Sequence, residues 1–89
     1  MHEVETWTVT VAIDEHDGHT RAVAHLQTRD SGRLAGAGLA RLTPTDRDVP
    51  EIGAELATAR ALADLSRRLL GIATEDLEQL TDTPAHLVM

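Results

Sequence analysis

The chain has 89 residues, a net charge of −7 and a single aromatic side chain, Trp7. That length fits one domain with a thin core filled by Leu, Val, Ile and Ala, and a subunit so short of bulky apolar groups gains stability from a partner. The lack of Cys excludes disulfides, a thiol nucleophile and thiolate-bound zinc; no apolar run approaches the roughly 20 residues of a membrane span; and the acidic balance argues against direct nucleic-acid binding.

Residues 1–5 are acidic and polar, the reverse of a secretory signal, and read as a flexible arm of a cytoplasmic protein. From Thr6 the pattern has period two. Trp7, Val9, Val11 and Ile13 alternate with Thr8, Thr10, Ala12 and Asp14, as in a half-buried strand. Asp17-Gly18 follows, the preferred pair for a two-residue type I′ hairpin turn. Closure there sets His16 opposite His19, Ile13 opposite Ala22, Val11 opposite Ala24 and Val9 opposite Leu26. On the other face Asp14 meets Arg21, an opposite-charge pair across the ladder.

Asp30-Ser31-Gly32 reads as a three-residue turn into a third strand, Arg33 to Leu42. Its length places Leu26 opposite Gly36, Ala24 opposite Gly38 and Ala22 opposite Ala40. Gly36 and Gly38 then lie on the inner face. Glycine weakens a strand unless another backbone must come close, so the long helix is expected to cross over them.

That helix is read over Asp48 to Leu70. Asp48 caps it, Glu51 completes a capping-box-like pair, and Pro50 lies in the first turn. Ile52, Leu56, Ala59, Ala63 and Leu70 form one apolar row, with Leu62, Leu65 and Leu69 beside it. Small Ala59 and Ala63 are expected to meet the sheet. Arg60, Asp64 and Arg68 are spaced for i,i+4 pairs on a solvated face. Gly71 is expected to end the helix, and Thr74 to cap a short second one over 74–80. The layout is thus a single α+β domain over 1–89, with a three-stranded antiparallel meander (6–42), a main helix on one face (48–70), a short helix (74–80) and a tail (81–89).

No catalytic arrangement emerges. Ser31 and Ser66 lie in no nucleophile motif, and His25 lacks a local acid–base partner. The dense cluster Asp14 to His19 offers a metal-binding alternative through His16 and His19, but an exposed Asp-Gly hairpin tip is the simpler account. No cofactor or metal is expected. One helix cannot cover both sheet faces, and the outer face carries the candidate interaction residues: Val23, His25, Ala35, Ala37 and Leu39, rimmed by Arg21, Arg33 and Arg41. Two uses stay open. The face serves self-association, sheet to sheet or by edge pairing, or its Arg rim tracks a phosphate backbone; the lack of stacking aromatics ranks the first ahead.

Segments 7–26, 34–65 and 77–87 resemble a small actinobacterial family of unknown function that includes mycobacterial proteins associated with dormancy and starvation. Asp14-Glu15-His16-Asp17, Thr20-Arg21-Ala22, Gly38-Leu39-Ala40-Arg41-Leu42 and Pro50-Glu51-Ile52-Gly53 carry the likeness, which spans nearly the whole chain. The chain departs from the family pattern at Thr43, Ala54 and residues 82–84. The resemblance implies a fold like that of double-stranded-RNA-binding domains (dsRBD-like) and hibernation-promoting factors. It also implies a homodimer and a role in quieting translation during stress, with the ribosome or a ribosomal protein as partner.

Overall fold

In the computed structural model the described residues are 3–29, 33–41 and 50–81. They form strands β1 (Thr8–His16), β2 (His19–Gln27) and β3 (Arg33–Arg41), then one helix, α1 (Pro50–Thr81). The sheet is antiparallel in the order β1-β2-β3.

The first hairpin closes as its sequence dictates. Asp17 and Gly18 both have positive φ, 50° and 74°, as a type I′ turn requires. His16 pairs with His19, Ile13 with Ala22, Val11 with Ala24 and Asp14 with Arg21. The second hairpin keeps the expected faces but not the expected register. Leu26 pairs with Leu34, Ala24 with Gly36, Ala22 with Gly38 and Thr20 with Ala40, two residues away from the three-residue-turn alignment. β2 ends at Gln27 and β3 begins at Arg33, and all nine residues of β3 pair with all nine of β2; the turn expected at Asp30-Ser31-Gly32 lies outside the described residues. A shift of two leaves every side chain on its face, so side-chain patterning could not detect it.

The core is built from small groups. Ala22, Ala24, Leu26 and Ala40 of the sheet meet Ala57, Ala61 and Leu65 of α1. The helix does cross Gly36 and Gly38. A Cβ built on Gly36 would lie 2.7 Å from Leu65 Cα, and one on Gly38 the same distance from Arg60 Cβ, with helix backbone closer still. At such an approach only the smallest helix residues fit against the sheet. The contacting stripe is therefore Gly53, Ala57, Ala61 and Leu65, not the row through Ala59 and Ala63, which are exposed, as are Ile52 and Leu56.

Nor does the helix stop at Gly71. Pro50–Thr81 is one helix of 32 residues, about 48 Å at 1.5 Å per residue, against roughly 30 Å for a nine-residue strand. It therefore runs past the sheet. Thr74, expected as the cap of a second helix, instead turns its hydroxyl back to donate to Leu70 O at 2.9 Å. One glycine costs a helix only about 1 kcal/mol, less than the good helix formers around it return. Of the tail expected over 81–89, Thr81 is the last residue of the helix and 82–89 lie outside the described residues, as does the proposed Asp48 cap.

Candidate functional site

Alternation puts Arg21, Val23 and His25 of β2 and Arg33, Ala35, Ala37, Leu39 and Arg41 of β3 on the sheet face away from the helix. The register sets His25 beside Ala35, Val23 beside Ala37 and Arg21 beside Leu39. Leu39 is 62% exposed and Val23 half-buried, so an apolar strip runs between guanidinium groups. Near its Arg33 end lies a shallow hollow of about 370 Å³, lined by Thr10, His25, Gln27 and Arg33 among others. The sequence-derived interaction residues thus share one continuous face.

The hairpin tip is less organised. His16 Nε2 lies 3.2 Å from Asp17 Oδ2, and both side chains are more than four-fifths exposed. Among the described residues no three His, Cys, Asp or Glu side chains cluster as a metal would need. Among them, too, no helix is long and apolar enough to cross a membrane.

Arg60 and Asp64, expected on a solvated helix face, are tied to β3. Asp64 Oδ2 accepts from the Ala37 N–H at 2.9 Å, and Arg60 Nη1 donates to Leu39 O at 2.6 Å. Arg68 Nε donates to the same carboxylate oxygen at 3.0 Å, and Arg67 lies 3.7 Å from its fellow. The Ala37 N–H above all, then the Arg68 hydrogen bond, holds the Asp64 carboxyl below the usual carboxylate range. Burial pushes the other way, and the charges of Arg68 and Arg67 add to the lowering. This pair closes part of the free backbone edge of β3. The signal in the sequence was present: an Arg and an Asp four apart, flanking a small-residue stripe that sits on an edge strand.

The β1 side differs. The helix lies over β3 and β2 and barely touches β1. Trp7, Val9 and Ile13, on the inner face, stay 48%, 43% and 48% exposed. Between β1 and the helix runs an open groove of about 440 Å³, lined by Ile13, Ala54, Glu55, Thr58, Ala59 and Leu62.

A family model described as Rv2632c-like matches residues 5–86. Over 87 residues the chain is 54% identical to the uncharacterised protein Mb1767 of Mycobacterium bovis, covering 98% of this chain and 92% of that one. It is 46% identical over 84 residues to the uncharacterised protein Rv2632c of Mycobacterium tuberculosis, with coverage of 93% and 88%. The crystal structure of Rv2632c matches with a TM-score of 0.83 at 44% identity, covering 93% of this chain and 98% of the other.

Proposed function

The chain belongs to the Rv2632c-like family, and on that premise we propose that it is a non-enzymatic cytoplasmic module, a hibernation-factor-like modulator of translation that acts as a homodimer in stress or dormancy. The observation that supports this reading is the uncovered outer sheet face. An apolar strip of Val23, Ala37 and Leu39 bordered by Arg21, Arg33 and Arg41 suits a broad macromolecular surface better than a small substrate. The helix side carries Glu51, Glu55, Glu75, Asp76 and Glu78 and repels phosphate, so contact with the ribosome goes through the sheet face, to RNA phosphates or to a basic ribosomal protein.

Sedimentation of stationary-phase extracts at low salt tests this. The protein is expected in a ribosomal or subunit fraction, and Arg21→Glu with Arg41→Glu is expected to release it. Absence from every ribosomal fraction overturns the reading. The net charge of −7 favours a second reading, a purely structural interaction module with no ribosome contact. It predicts that those Arg substitutions leave the protein's binding partners unchanged.

A further inference from the structure

We infer that the free edge of β1 is where a second copy of this chain pairs, antiparallel and centred on Val11, joining two sheets into one of six strands. This rests on the homodimer part of the functional reading and names its interface. The backbone geometry fixes which groups are available. Ala37 N–H points off the sheet edge to Asp64, so Ala37 and its partner Val23 form a non-hydrogen-bonded pair, and Val23 turns its N–H and C=O toward β1. Val23 pairs with Ala12, so the even residues of β1 bond to β2, and Val9, Val11, Ile13 and Glu15 present N–H and C=O outward. On β3 the helix answers such groups with Arg60 and Asp64; of the five helix residues lining the β1 groove, Ala54, Glu55, Thr58, Ala59 and Leu62, only Glu55 is charged.

The sequence of β1 is complementary to itself in one antiparallel alignment. Centred on Val11, the inner face sets Val11 against Val11 of the second copy and Val9 against Ile13, joining the half-exposed side chains that the helix leaves uncovered. Asp14 falls opposite Thr8 and Glu15 opposite Trp7, so no acid of the strand meets another acid; Glu5 and Asp17, which fall opposite each other, lie outside it. Centring on Thr10 instead would pair only residues 8–12 of the strand, and centring on Ala12 would set Val9 against Glu15. A parallel pairing would bring the acidic ends of the two strands together. The antiparallel dimer is isologous and closes, because each copy's other edge carries the Arg60 and Asp64 contacts. It also doubles the outer face, presenting two Arg-rimmed strips side by side on a sheet about 29 Å wide.

The test is the solution mass of the full chain by light scattering across a dilution series. Wild type is expected at twice the chain mass of 9.6 kDa. Val9→Pro removes an outward N–H at an edge where proline is tolerated; by symmetry it deletes two bonds of the dimer and should weaken association roughly thirtyfold. Ile13→Lys, which changes a side chain already half exposed, should also give monomers, with circular dichroism checking that both variants are folded. Ala37→Glu with Leu39→Glu, on the outer face, should leave the dimer intact. A dimer that survives both β1 variants and falls apart with the outer-face variant overturns the β1 interface but keeps the homodimer. A wild-type monomer at every concentration overturns both. A dimer indifferent to all of these also overturns the β1 assignment.

Discussion

The two edges of this sheet have similar strands and opposite treatment. β3 runs beneath the helix, and its outward amide at Ala37 and carbonyl at Leu39 are met by Asp64 and Arg60. β1 lies beyond the helix's reach, with Val9 and Ile13 nearly half exposed beside an apolar groove. The difference traces to two glycines. Gly36 and Gly38 let α1 settle onto β3, and a helix seated that far to one side covers one edge at the expense of the other. An unprotected strand edge is a template for another chain, so asymmetry in helix placement becomes asymmetry in what the molecule can bind.

The most damaging way to break the contrast is Gly38→Val. Its Cβ would drive into Ala57 O and the Ala61 N–H, which are backbone and cannot swing aside. A loss of at least about 3 kcal/mol is expected in urea unfolding, a large part of the stability of a small domain. The same substitution at Gly18, where nothing lies within 4 Å, has no packing cost and is strained only by its positive φ.

A milder break removes the β3 cap and leaves the fold. Arg60→Ala with Asp64→Ala frees the Ala37 N–H and Leu39 C=O, giving each molecule two open edges. Concentration-dependent assemblies larger than a dimer are expected in light scattering; wild-type behaviour would show that the cap does not guard the edge. Acid should act in the same direction. The Asp64 carboxyl titrates lower in the folded protein than its ordinary value of 3.8, so its contribution to stability is complete above that value. It is lost as pH falls through the lower folded value. An acid titration of Asp64→Ala should lack this component.

How much of this was legible in the sequence differs between the two hairpins. Asp17-Gly18 specifies a turn type, and with it the pairing of every residue from Thr8 to Gln27. The turn at 30–32 carried no comparable geometric rule, and a two-residue shift preserves side-chain alternation, so that register was underdetermined. Gly36 and Gly38 announced the helix crossing. They did not announce its rotation, because a search for apolar rows favours large residues, whereas a glycine-floored contact selects Gly53, Ala57 and Ala61. The outer-face residues followed from alternation alone. By pattern Arg60 and Asp64 look like surface charges, because their partners are backbone groups, which leave no trace in side-chain patterning.

The smallest expected effect sharpens the contrast by a change remote from both edges. Gly71 sits in mid-helix beyond the sheet, with open space where its Cβ would go. Gly71→Ala should stabilise by roughly 0.5–1 kcal/mol through helix propensity and leave the solution mass unchanged.

Amide hydrogen exchange followed residue by residue by NMR, at a protein concentration that favours the dimer and at one that favours the monomer, tests the central claim most directly. The Ala37 amide should be protected at both concentrations, because its acceptor belongs to its own chain. The Val9, Val11 and Ile13 amides should be protected only at the higher one. Fast exchange at Val11 under all conditions, or protection there that does not change with concentration, would contradict an edge held open for a second copy.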